Sequence, residues 1–113
     1  MAPKRSIPSK EGFQDIFSSP DKKFSTKNIL VLSKANVYGF ARIGVAIRKR
    51  ENKLAVNRNN IKRKIKGSFL SKALELPADD YVVFVRKNLI GLEEELKKDL
   101  DYIWKKFKKE NDN

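Results

Sequence analysis

The segment YVVFV at residues 81–85 constrains the fold more than any other part of this 113-residue chain. Successive side chains of a strand point to opposite faces, so five apolar or aromatic residues in a row require a strand that is covered on both sides. Segments with helical periodicity flank it, at about residues 54–75 and 92–109. The sequence therefore predicts a sheet with helices packed on it.

The remaining segments add one helix and further strands. In "SKEGFQDIF", Ser9 is a good N-cap, and Phe13, Ile16 and Phe17 follow at helical spacing. "KFSTKNILVLSKA" predicts one bent strand or two short ones, and "FARIGVAIRK" alternates apolar with basic or small residues. The predicted order is α-β-β-β-α-β-α in an α+β fold, an α/β sandwich with a single sheet. We expect one domain over residues 1–113, with flexible ends at 1–7 and 110–113.

Charge is distributed unevenly along the chain, whose net charge is +12. Residues 22–74 hold fifteen Lys and Arg against one acid, whereas residues 1–21 are neutral and residues 75–113 carry −2. A block of one sign on a folded domain is typical of a surface that binds a polyanion. Nucleic acid is the favoured partner, with an anionic membrane surface as the main alternative.

Composition excludes several kinds of chemistry. The chain has no Cys and no His, which removes disulfides, thiolate nucleophiles, the usual zinc ligands and the usual general base at neutral pH. The basic start "MAPKRSIPSK" is not followed by an apolar run, and no apolar run is long enough to cross a bilayer. We expect a cytoplasmic protein without a membrane partner.

The helix at residues 54–75 has two distinct faces. Its apolar side chains fall within an arc of about 80° on a helical wheel: Leu54, Ile61, Ile65, Phe69 and Leu76. A separate arc of about 100° holds the hydrogen-bonding and basic ones: Asn59, Lys62, Arg63 and Lys66, with Arg58 one turn below Lys62. A solubilising surface would explain such a face, but the stretch offers no acid to pair with the cations. Phosphate-backbone binding is therefore the favoured interpretation.

These residues also carry a family resemblance. The stretch "IGVAIRKRENKLAVNRNNIKRKIKGSF" resembles the core of the bacterial ribonuclease P protein subunit, whose pattern is G-x-x-V-x-K-K followed by A-V-x-R-N-R-x-K-R-x-x-R-E-x-F. The matching residues are Gly44, Ile47, Lys49, Arg50, Ala55, Val56, Arg58, Asn59, Ile61, Lys62, Arg63 and Phe69. The likeness extends over about residues 5–108, but Asn60 and Lys66-Gly67 depart from the pattern.

The resemblance implies a four-stranded sheet with a left-handed βαβ crossover, similar to ribosomal RNA-binding domains. It implies a protein subunit of ribonuclease P, the endoribonuclease that removes the 5′ leader of precursor tRNA. The RNA subunit would carry the chemistry with Mg²⁺, so we expect no catalytic or metal-binding protein residue. The implied partners are one RNA subunit, bound by a monomeric protein, and precursor tRNA.

By resemblance, two surfaces bind RNA. The RNA subunit would contact Arg58, Asn59, Lys62, Arg63, Lys66, Lys49 and Arg50, although a mobile solvated loop would also explain Lys49 and Arg50. The 5′ leader would lie in a cleft formed by Phe13, Phe17, Arg42, Gly44, Ala46 and Arg48. Small residues between cations would leave a shallow positive trough there. Both phenylalanines could instead be core residues.

Three other functions remain open. A ribosomal or other structured-RNA protein could use the same basic face without a processing role. A DNA-binding domain could place the helix in a major groove, although groove-reading helices usually belong to helix-turn-helix pairs rather than lying between strands. A free-standing nuclease would need protein metal ligands, and the sequence offers no convincing set.

Overall fold

The computed structural model describes residues 6–7 and 13–111, the last three by their backbone alone. It contains the predicted seven elements in the predicted order: α1 (Gln14–Ser18), β1 (Lys22–Ser25), β2 (Ile29–Ala35), β3 (Arg42–Ile47), α2 (Ala55–Lys72), β4 (Asp79–Val85) and α3 (Glu93–Asn111). A short 3₁₀ turn, Ala73–Glu75, follows α2. The predicted N-cap Ser9 lies outside the described residues, and Phe13 precedes α1 without a side-chain cap.

The four strands form one sheet in the order β1-β2-β4-β3. β2 is antiparallel to both of its neighbours, and β3 runs parallel to β4. β3, α2 and β4 therefore make the predicted βαβ unit between adjacent parallel strands. The apolar segment that predicted a covered strand is β4, which lies inside the sheet rather than at its edge.

One face of the sheet packs on α2 and α3 to form the main core. Ile65 and Phe69 from α2 are fully buried, as are Trp104 and Phe107 from α3. Tyr81 of β4 meets Phe107 edge-on, with ring centroids 5.0 Å apart. The tyrosine hydroxyl donates to the carbonyl of residue 77 at 2.9 Å, so its polar end is satisfied inside the core.

The opposite face carries a smaller core because α1 has only five residues. Ile16 of α1 and Ile7 pack against Leu32 of β2 and Val82 of β4. Ile7 also donates its N–H to the carbonyl of Ile43 at 2.8 Å, so residues 6–7 lie against β3. So short a helix leaves part of the sheet face uncovered.

The predicted apolar face of α2 is wrong for one residue. Ile61, Ile65 and Phe69 are buried as expected, but Leu54 is 61% exposed. It occupies the N-cap position with an extended backbone, φ −80° and ψ 129°, so its side chain does not follow the helical wheel. No helix in the described part of the chain is long and apolar enough to cross a membrane.

Candidate RNA interfaces

The basic face of α2 points away from the core, and we call it the basic arc: Arg58, Asn59, Lys62, Arg63 and Lys66. Lys62 and Arg63 are exposed, and Lys66 is half-buried. Within residues 6–7 and 13–108, no member of the arc forms an ion pair with a carboxylate. The first turn of α2 also lacks an acid, so nothing local offsets the partial positive charge of the helix N-terminus. The arc thus presents uncompensated positive charge to an anionic partner.

Arg58 has an additional structural role. Its Nη1 donates to the carbonyl oxygens of Asn52 at 3.1 Å and Lys53 at 2.7 Å, which join the loop before α2 to the helix. An arginine has five N–H donors, so the same side chain can still offer donors to a phosphate. Arg58 is therefore a partly buried edge of the arc rather than a fully open cation.

The loop between β3 and α2 is anchored by a residue that sequence reasoning missed. Asn52 is buried; its Nδ2 donates to the carbonyl of Lys87 at 3.1 Å, and its Oδ1 accepts the N–H of Leu89 at 3.2 Å. Lys49 and Arg50 lie exposed at the turn just before this anchor. The loop is thus tied to the segment after β4, which favours the interpretation in which Lys49 and Arg50 extend the basic arc.

A second basic surface lies on the sheet face that α1 leaves uncovered, and we call it the sheet groove. It has a volume of about 450 Å³ and is lined by Lys23, Ser25, Leu30, Arg48, Phe84 and Arg86. The guanidinium of Arg48 pairs with Glu51 on one side and lies 5.5 Å from the centroid of the Phe84 ring on the other. The groove combines three cations with an aromatic floor.

Phe17 of α1 lies beside the sheet groove, against the ring of Phe84 that lines it. Its ring meets Phe84 edge-on, with centroids 5.8 Å apart and planes at 87°, and the residue remains 42% exposed. Phe13, by contrast, is half-buried and packs into the smaller core. The two phenylalanines therefore separate into one core residue and one exposed ring suited to stacking on a base.

The predicted cleft residues of β3 do not all share this surface. Ala46 is the cross-strand partner of Phe84 and lies beside Arg48, as the cleft requires. Gly44 is covered, because the Phe13 ring lies directly on it. The prediction that Arg42 is an open cation of the cleft is wrong. Arg42 is buried, and its Nε and Nη2 each donate to Asp80 at 2.8 Å. Of the two predicted cleft cations, Arg48 is exposed and Arg42 is not.

Sequence reasoning missed Phe84, Lys23 and Arg86 as groove residues. The apolar run of β4 implied cover on both faces, whereas α1 covers only the part around Val82. Strand alternation does place Phe84 and Arg86 on the same side as Val82, so the signal was present. The sequence alone did not predict that α1 covers so little of the sheet.

The largest group of acidic residues in the fold lies on α3. Glu95 accepts a hydrogen bond from Asn28, which lowers the pKa of that carboxyl, as does nearby Lys27. Asp99 accepts hydrogen bonds from Thr26 and Asn28, both at 2.9 Å, so these acids fasten the β1–β2 hairpin to α3. In the part of the chain that the structure describes, no group of three or more His, Cys, Asp or Glu side chains could hold a metal ion.

The fold and the two basic surfaces define a small α+β domain of the class that binds polyanions such as RNA. The family model described as Ribonuclease P matches residues 1–108. A ribonuclease P protein component from Idiomarina loihiensis is 36% identical over 98 residues, which cover 86% of this chain and 78% of that protein. A ribonuclease P protein component from Ectopseudomonas mendocina is 40% identical over 96 residues, which cover 84% of this chain and 72% of that protein. The chain therefore belongs to the ribonuclease P protein family.

Solved structures agree in fold. The RNase P protein of Staphylococcus aureus matches with a TM-score of 0.80 at 23% identity, over 89% of this chain and 93% of that one. The RNase P protein from Thermotoga maritima matches with a TM-score of 0.68 at 24% identity, over 92% of this chain and 96% of that one. Proteins of this family are components of the ribonuclease P endoribonuclease and function with an RNA subunit.

Proposed function

We propose that this protein, as the ribonuclease P subunit that serves tRNA 5′ processing, binds two RNAs on two surfaces. The basic arc, extended by Lys49 and Arg50, binds the catalytic RNA subunit, and the sheet groove binds the 5′ leader of precursor tRNA. The observation that carries this proposal is the presence of two basic surfaces on a chain of this family, one on α2 and one on the opposite face of the sheet.

The basic arc suits a folded RNA. Its cations lie on a rigid helix, so they can match the fixed spacing of phosphates on a structured partner. Each phosphate that they neutralise releases condensed counterions, which provides affinity without base recognition. Asn59, which has both donors and an acceptor, can add contacts to sugar hydroxyls within the same arc.

The sheet groove suits a single strand better than a duplex. The ring of Phe84 in the groove and that of Phe17 beside it are available only to unpaired bases, whereas Lys23, Arg48 and Arg86 can follow the phosphate backbone. Every base presents a π-face, so binding of this kind tolerates many leader sequences. A precursor tRNA has such a strand and the mature tRNA does not. The groove can therefore distinguish substrate from product.

The protein contributes binding and orientation rather than chemistry in this proposal. Mg²⁺ would be held mainly by the RNA subunit and would stabilise the charge that develops at the scissile phosphate. We further propose a monomeric protein that joins one RNA subunit in the cytoplasm.

Reconstitution tests the proposal. The protein is mixed with a bacterial ribonuclease P RNA and a precursor tRNA at low Mg²⁺, and release of the leader is followed over time. We expect cleavage by the mixture well above that by the RNA alone, and none by the protein alone. Cleavage by the protein alone would contradict the proposal, and RNA binding without stimulated cleavage would favour a structural RNA-binding protein instead.

A matched pair of variants ties the result to the basic arc. Lys62→Ala removes an exposed cation from the arc, whereas Lys98→Ala removes an exposed cation from α3, outside both surfaces. Both variants lower the net charge equally. We expect only Lys62→Ala to raise the protein concentration needed for half-maximal stimulation.

A further inference from the structure

The loop between β2 and β3 presents a half-exposed tyrosine at the end of the sheet farthest from the sheet groove. Tyr38 is 48% exposed, and its neighbour Val37 is 92% exposed. A cavity of about 400 Å³ lies beside them, bordered by Asp15 and Ile16 of α1 and by Lys34 of β2. Neither the basic arc nor the sheet groove includes these residues.

The Tyr38 ring is held in place from below. The guanidinium of Arg42 lies 4.0 Å from the ring centroid, and Asp80 holds that guanidinium through two hydrogen bonds of 2.8 Å. Asn36 links the loop to the same carboxylate: its Nδ2 donates to Asp80 at 2.8 Å, while its Oδ1 accepts the N–H of Tyr38 at 2.9 Å. The aromatic ring is thus positioned before any partner arrives, which reduces the entropy lost on binding.

This surface and the sheet groove lie on one face of the sheet, on either side of α1. Asp80 and Phe84 both belong to β4 and point to the same side, four residues and about 13 Å apart. Ile16 of α1 borders the cavity at Tyr38, and Phe17 contacts Phe84, which lines the sheet groove. Because α1 covers β4 around Val82, a single strand leaving the groove would reach Tyr38 by crossing over α1.

We propose that Tyr38 is a second stacking platform, which takes an unpaired base of the leader beyond the sheet groove. The inference rests on the proposed function. Arg42 covers one side of the ring and Phe40 lies 6.2 Å away at a tilt, but Tyr38 is still 48% exposed, so a base can complete an Arg–Tyr–base stack. Asp80 neutralises Arg42, and the cavity lining also holds one acid, Asp15, and one cation, Lys34. The contact therefore depends on the aromatic face more than on phosphate charge.

The test measures binding of precursor tRNAs whose leaders are lengthened one nucleotide at a time. The reconstituted holoenzyme carries wild-type protein, Tyr38→Ala, Tyr38→Phe, Tyr38→Leu or the control Val37→Ala. Once the leader is long enough to pass α1, we expect Tyr38→Ala and Tyr38→Leu to weaken binding by roughly 5- to 150-fold, the loss of one stacked base. Tyr38→Phe and Val37→Ala should bind as the wild type does. The ratio of wild-type affinity to Tyr38→Ala affinity should change little with salt concentration.

Two outcomes would overturn the inference: equal affinity of all variants at every leader length, or an equal loss for short leaders, long leaders and mature tRNA. Tyr38→Leu keeps an apolar cover over Arg42, so it separates loss of stacking from disturbance of the Arg42–Asp80 pair. If wild-type holoenzyme binds precursor and mature tRNA equally, the proposed function itself fails. If the wild type prefers the precursor and Tyr38→Leu keeps that preference at all lengths, only the Tyr38 platform fails.

Discussion

The ring of Phe13 lies directly on the backbone of Gly44. A Cβ atom built on Gly44 would be 2.5 Å from Cε1 and 2.7 Å from Cζ of that ring. Because Phe13 immediately precedes α1, this contact sets how closely the helix approaches the sheet. It therefore helps to set the position of Phe17, one turn later, against Phe84.

Gly44→Ala should destabilise the fold and distort the sheet groove. The added methyl group forces the Phe13 ring aside, and such overpacking costs about 1–3 kcal/mol of unfolding free energy. Urea unfolding measures that cost, and the affinity of the reconstituted holoenzyme for precursor tRNA measures the change in the groove. Unchanged stability and affinity would show that Phe13 does not fix α1.

Gly67→Ala is the matched substitution with the opposite expectation. Gly67 lies inside α2, and an added Cβ would meet nothing within 4 Å. Alanine in a helix interior is favoured over glycine by about 0.5–1 kcal/mol, so the free energy of unfolding should rise by that amount. The same urea titration checks it. A loss of stability would mean that this part of α2 is not regular helix.

Ile65→Ala and Arg63→Ala should separate the two faces of α2. Ile65 is fully buried, so its truncation should lower the free energy of unfolding by about 2–4 kcal/mol. Arg63 is exposed and makes no ion pair within the described residues, so its loss should leave unfolding nearly unchanged while weakening binding to the RNA subunit. Thermal melts compare the two. Equal destabilisation would contradict the assignment of the basic arc to the outer face.

Affinity for the RNA subunit should fall steeply with salt. If about five or six cations of the basic arc and its loop meet phosphates, a plot of log K against log salt should have a slope of roughly −3.5 to −5. Binding titrations over a range of KCl concentrations give this slope. A slope shallower than about −1.5 would show that the cations are ordinary surface charge.

Local patterns in the sequence predicted the elements well, because each pattern depends on residues close together in the chain. The continuous apolar run identified β4, and helical periodicity placed Ile61, Ile65 and Phe69 on the buried face of α2. The basic arc followed from the same wheel. Leu54 failed because it stands at the N-cap, where the backbone is not yet helical.

The errors at the second surface have a different cause, which is pairing between distant segments. The sequence alone predicts that Arg42 is a cation flanking a trough. In the structure, the parallel register of β3 and β4 places Asp80 opposite it. The sequence alone predicts that Phe84 is a buried strand residue, because it does not show how little of the sheet α1 covers. Neither the register nor the area that a short helix covers is encoded in one local segment.

The central claim is that two faces of one small domain bind two different RNAs, and paired dissociation constants test it most directly. Precursor and mature tRNA are titrated against holoenzymes that carry Phe17→Ala or Arg63→Ala, with thermal melts to verify folding. Phe17→Ala should weaken precursor binding by up to roughly a hundredfold and leave mature tRNA unaffected, because only the precursor has a leader to stack in the sheet groove. Arg63→Ala should impair holoenzyme assembly and reduce binding of both tRNAs alike. A folded Phe17→Ala protein with an unchanged precursor-to-mature ratio would contradict the claim.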